Sequence, residues 1–157
     1  MEKKERLSIP TPKIILPGEY GYSLDEITPI GTFAVGAKNG CRGYLIYDPN
    51  KKIAGLAHVD MADLDLSIIE EMISYLLSLQ ASSLIIGTTP NSSLELQGFN
   101  LPIIELPTPE FIYYPHSNEI NGLVPHELKN ILHQRLPQLK ERLRKIRKGK
   151  LHYLIRV

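Results

Sequence analysis

Cysteine is all but missing from this chain of 157 residues: Cys41 stands alone, which excludes a disulfide framework and points to a reducing compartment. No apolar run approaches the ~20 residues of a membrane helix, so no membrane partner is expected. The charged opening, Met1 to Arg6, leads into prolines rather than into the apolar core of a secretory signal. Neither sign of charge dominates, with 18 basic and 17 acidic side chains, so bulk charge implies no polyanionic partner. Phosphate-binding and dinucleotide-binding glycine loops are missing, as is the Gly-x-Ser-x-Gly elbow. His126-Glu127 opens like a zinc-protease helix, but Asn130 stands where the second histidine belongs. His116, His126 and His133 have no thiol beside them, and no metal is expected. What remains is an ordinary globular balance, 43% hydrophobic and 22% charged. The expectation is a soluble, cytoplasmic, single domain over residues 1–157.

Along the chain, residues 1–12 read as a flexible arm leading into an edge strand, Lys13 to Leu16. Ile30 to Val35 reads as a strand. Arg42 to Asp48 and Lys51 to Val59 flank Pro49-Asn50 and read as a hairpin. From Asp63 to Gln80 the period changes: Leu66, Ile69, Met72, Ile73, Leu76 and Leu77 recur at helical steps, with Ser67 and Glu70 at capping-box spacing. Ser83 to Ile86, Ile103 to Leu106 and Phe111 to Tyr114 are short strands, with Tyr113 and Tyr114 read as packing residues. Residues 115–124 read as loop. An amphipathic helical segment covers 125–149, interrupted at Pro137, and Leu151 to Val157 is a closing strand. The class is α/β, a mixed sheet covered by helices.

The hairpin brings two reactive side chains together. A turn at Asp48-Pro49-Asn50-Lys51 pairs Tyr47 with Lys52 and, further out, Cys41 with His58. Opposed residues have Cβ atoms about 4.5–5.5 Å apart, within reach of a thiol–imidazole contact. An imidazole beside a thiol can take its proton and make the thiolate nucleophile. The Asn39-Gly40 turn before Cys41 offers backbone N–H groups to a developing oxyanion. Asp60, two residues past His58, could hold the ring in its productive tautomer. From spacing alone the plainer alternative stays open, a small core cysteine beside a satisfied core histidine.

The stretch from Gly36 to Asp60 resembles the catalytic hairpin of a family of cysteine amidohydrolases. Its members include the chemoreceptor glutamine deamidase CheD and the eukaryotic protein N-terminal asparagine amidohydrolase. Both place a Cys at the opening of one strand and a His 17 residues later at the close of the next, the interval from Cys41 to His58. Leu56-Ala57-His58-Val59 is similar to the Ala-His-Val of CheD, and His58-Val59-Asp60 to the His-x-Asp of the asparagine enzyme. The order also agrees: a helix, here 63–80, then a strand ending in a Gly-containing loop, here Ser83 to Thr89. Gly18-Glu19-Tyr20 faintly resembles the first strand of CheD. The likeness covers roughly 18–95; from Pro107 onward the chain matches neither relative.

The resemblance implies a CheD-like deamidase architecture and hydrolysis of the side-chain carboxamide of a Gln or Asn in a protein or peptide. Cys41 would be the nucleophile and His58 the general acid/base, with no metal or organic cofactor. Thr88 and Thr89 are candidate positioning groups, with turn capping as their alternative reading. CheD carries a Gly-Ser-Cys triplet and a Thr six residues before its Cys. Here the triplet is Asn39-Gly40-Cys41 and the sixth position back is Val35, so the third member of the site is unassigned.

Residues 134–150 hold eight basic side chains and one acidic one, Glu141, leaving ten basic against sixteen acidic elsewhere. A solvated helix face with cations near its negative end explains this; an acidic partner docking there is the alternative. Aromatic residues that would stack bases are absent from the segment, which argues against nucleic acid. Two further readings remain: a non-catalytic family member that binds a partner through the cleft or this helix, and a nucleic-acid-associated protein using residues 135–150.

Overall fold

Two strands buried on both faces, joined by a four-residue turn, build the centre of the larger sheet. The computed structural model describes residues 10–33, 41–60, 67–88, 96, 98–106, 110–122, 130, 134–135, 137–138, 140–141, 144–145 and 155–157, with Cys41 and Asp60 described by backbone only. The chain runs β1 (Lys13–Ile15), β2 (Glu19–Ser23), β3 (Ile30–Thr32), β4 (Cys41–Asp48), β5 (Ile53–Asp60), α1 (Ser67–Ser78), β6 (Ile85–Thr88), β7 (Ile103–Glu105), β8 (Phe111–Tyr114), β9 (Glu119–Asn121) and β10 (Ile155–Arg156). Residues 130, 134–135, 137–138, 140–141 and 144–145 are also helical, Pro137 among them. The result is a mixed α/β fold with two mixed sheets.

The six-stranded sheet has the order β10-β2-β5-β4-β6-β7, and the four-stranded sheet the order β1-β3-β8-β9. Strand alternation gives the larger sheet two apolar faces. Tyr44, Ile46, Ala57 and Val59 lie on one and pack with Ile68, Ile69, Met72 and Leu76 of α1. Leu45, Tyr47, Ala54 and Leu56 lie on the other and pack with Ile15, Ile30, Phe111 and Tyr113 of the smaller sheet. The architecture is therefore helix, sheet, sheet, where the sequence suggests one sheet covered by helices. Leu77, expected on the helix's apolar stripe, is 50% exposed; Ile68 takes its place in the core.

Three local features move boundaries. Asp48 folds its buried carboxylate over the backbone N–H groups of Asn50 and Lys51, at 2.8 and 3.0 Å, and over those of Ser82 and Ser83. Burial pushes this carboxyl up, yet the four N–H groups together hold it below its ordinary value. The hairpin turn is therefore Pro49 to Lys52, with Lys52 in the left-handed region at φ 61°, and β6 starts at Ile85 once Ser82 and Ser83 are past. Residues 115–124, expected as loop, contain β9, which pairs with β8 through a turn fixed by a Tyr113 hydroxyl bond to Asn118 Oδ1 at 3.0 Å. At the far edge, Arg156 of β10 lies 4.8 Å over the Tyr22 ring and 5.0 Å over that of Tyr75, tying the closing strand to α1.

Candidate active site

The hairpin register differs from the expected one. With the turn one residue further along, Cys41 pairs with Asp60, and His58 pairs with Gly43. The shift is an even one, so parity survives: positions 41, 43, 58 and 60 still share one face of the pleat. Cys41 stands diagonal to His58 instead of directly opposite. That face is the one carrying Leu45 and Leu56, which looks toward the smaller sheet.

Thr88 is on the wrong side for its expected role. It pairs with Tyr44, whose face packs on α1, whereas His58 and Gly43 occupy the opposite face. Asn39, Gly40 and Thr89 lie outside the described residues, as do the side chains of Cys41 and Asp60. Asp60 holds only a backbone position here, on the same face of the pleat as His58.

His58 is completely buried in the space between the sheets. Its Nδ1 lies 2.9 Å from Thr32 Oγ1 of β3, and the Thr32 hydroxyl donates to the Ile15 carbonyl of β1 at 2.6 Å. A hydroxyl has one proton, and a carbonyl can only accept. The Thr32 proton therefore belongs to Ile15, and the ring must donate its Nδ1–H to Thr32. This assigns the Nδ1–H tautomer and leaves Nε2 a bare lone pair. Nε2 is buried and has no hydrogen-bond partner among the described residues.

A buried acceptor without a partner costs about 1–3 kcal/mol, which marks a working group more than a structural one. Thr32 is the residue that sequence reasoning missed. The signal was faint, a lone Thr in a short strand nine residues before Cys41, and only the packing of one sheet on the other brings it to His58.

Burial lowers the His58 pKa from 6.5 to about 3, against a smaller upward pull from the Ile15 carbonyl. The imidazole is therefore neutral at physiological pH. Between those two values the unfolded chain binds a proton that the folded chain refuses, so acid favours unfolding. This contribution is complete above pH 6.5 and disappears as pH falls toward 3. Urea unfolding should lose up to about 1.4 kcal/mol per pH unit there. His58→Gln should flatten the upper part of that profile, because Asp25 and Asp48, both held below their ordinary values, add acid lability only beneath it.

Beside His58 stands a second buried titratable residue. Glu19 of β2 pairs directly with His58 and is fully covered. Its Oε1 accepts from the Leu16 backbone N–H at 2.9 Å and from Arg135 Nη1 at 3.3 Å, and its Oε2 is ion-paired with Arg135 Nη2. Leu16 to Glu19 is a type II turn: Glu19 N–H reaches Leu16 O at 3.0 Å, Pro17 sits second, and Gly18 third at φ 83°. That turn carries the chain from the small sheet to the large one, with Gly18 N–H bonded to the His58 carbonyl at 2.9 Å.

Among the described residues no cluster of three or more His, Cys, Asp or Glu side chains is placed to hold a metal, and no helix is long and apolar enough to cross a membrane. His116 is exposed; His126 and His133 lie outside the described residues. Compared with models of known protein families and with curated proteins, the sequence matches none.

Proposed function

We propose that the chain is a cysteine amidohydrolase of the CheD-like type, hydrolysing the side-chain carboxamide of a Gln or Asn in a protein or peptide. One observation carries the reading: a buried, neutral histidine with Nδ1 tied to Thr32 and Nε2 bare, on the pleat face that also holds the backbone position of Cys41. The hairpin, helix and strand order from β4 to β6 supports the family architecture. Thr32 takes the part that the threonine before the cysteine plays in CheD, nine residues back instead of six.

In the reaction, Nε2 takes the Cys41 thiol proton as sulfur bonds to the carboxamide carbon. The C–N bond breaks and the imidazolium returns its proton to the leaving ammonia, leaving a thioester. Water then gives a proton to Nε2 and its oxygen to the acyl carbon, releasing a carboxylate and the thiol. Burial makes the imidazolium costly, so proton transfer accompanies attack and does not precede it. His58 is also fully covered, so the substrate side chain reaches Nε2 only after a neighbouring segment moves.

That covering favours one second reading, a non-catalytic relative that binds a protein partner; in it Cys41 resists thiol-directed electrophiles. The two separate on a library of peptides carrying Asn or Gln at internal and N-terminal positions. Deamidation adds about one dalton and releases ammonia. A library left unchanged, with Cys41 unreactive, favours the binding protein.

A further inference from the structure

The Ile15–Leu16 peptide group is bonded at both ends. Its N–H donates to Glu19 Oε1, and its carbonyl accepts the Thr32 hydroxyl that faces His58. With the Arg135 contact to Glu19, a continuous line runs from the C-terminal helical segment to the imidazole. Its order is guanidinium, carboxylate, peptide group, hydroxyl, ring. Arg135 lies 116 residues from Glu19 in sequence, so this line forms only when the C-terminal segment docks.

We propose that Glu19 and Arg135 are positioning residues that fix the tautomer of His58 through the Ile15–Leu16 peptide group and Thr32. A carboxylate accepting from a peptide N–H polarises that group and makes its oxygen a stronger acceptor. The Thr32 proton is thereby drawn to Ile15, and the hydroxyl oxygen turns its lone pair to Nδ1–H. The competing arrangement sends the Thr32 proton to Nδ1 and puts the ring proton on Nε2, which has no acceptor among the described residues. Arg135 holds both carboxylate oxygens, so Glu19 cannot swing away from the Leu16 N–H. The peptide itself is pinned by the turn from Leu16 to Glu19, which leaves it little room to rotate. Docking of the C-terminal segment thus becomes a condition for a competent base. The proposal deepens the deamidase reading, on which its catalytic meaning rests, but its physical content needs no substrate to measure.

The test is nitrogen NMR on the full chain with ¹⁵N-labelled histidine at neutral pH, His58 being assigned from its absence in His58→Gln. The unaltered protein should show His58 as a single neutral form protonated at Nδ1. Arg135→Ala and Glu19→Gln should each shift it to a mixture of tautomers, and Arg135→Lys should move it back toward the single form. A merely structural pair would leave the ring nitrogens unmoved, and an unchanged Nδ1–H signature in Arg135→Ala overturns the proposal. Should Glu19→Gln fail to fold, the partly exposed Arg135 variants decide alone. A chain that shows the tautomer shift but deamidates nothing keeps this inference and loses the enzymatic one; the reverse outcome separates them equally.

Discussion

Replacing Cys41 with alanine should abolish ammonia release from any carboxamide peptide the chain processes, down to the uncatalysed background. The nucleophile has no substitute, since the chain contains no second cysteine. Removing a nucleophile costs several orders of magnitude in turnover. The fold should survive, because Cys41 is the first residue of β4 and its pairing with Asp60 is made by backbone. Circular dichroism and urea midpoints close to the parent, together with lost activity, are the expected pair of results. Retained activity would remove sulfur from the mechanism altogether.

Thr32→Val should produce the second largest effect, on activity and stability together. Valine matches threonine in shape but has no hydroxyl, so the Ile15 carbonyl and His58 Nδ1–H both lose their partner in a dry site. Each orphaned group costs roughly 1–3 kcal/mol. Turnover should fall about ten- to a hundredfold, the usual effect of removing a group that orients a working histidine. Thr32→Ser keeps the hydroxyl and should recover most of both losses. Equal turnover in the valine variant would mean that Thr32 does not orient the ring.

The hairpin and the first helix were legible in the sequence because their signals are local: two apolar-rich runs around Pro49-Asn50, then a helical period from Ile69 to Leu76. The partner of Cys41 was misplaced by two positions because the Asp48 carboxylate, not the Pro-Asn dipeptide alone, decides where the turn closes. Parity survived, so the face shared by positions 41 and 58 was right although the partner was wrong. What sequence could not show is the second sheet. β1, β3, β8 and β9 are three or four residues long, and the β3–β8 pairing that joins them into one surface brings together distant parts of the chain, so no periodicity announces it. Thr32 reaches His58 only through that packing, and Glu19 through the β2–β5 pairing that follows the turn at Pro17-Gly18. The same reason explains Thr88: a strand residue is assigned to a face only once its partner is known, and the partner is Tyr44.

The most direct measurement is the intact mass of the protein quenched in acid within the first turnovers on a processed peptide. A covalent acyl adduct should appear and map to Cys41 as a thioester cleaved by hydroxylamine. It should be missing in Cys41→Ala and slow to form in His58→Ala. A chain that deamidates the peptide with Cys41 unmodified throughout, and at the same rate without His58, would contradict the account.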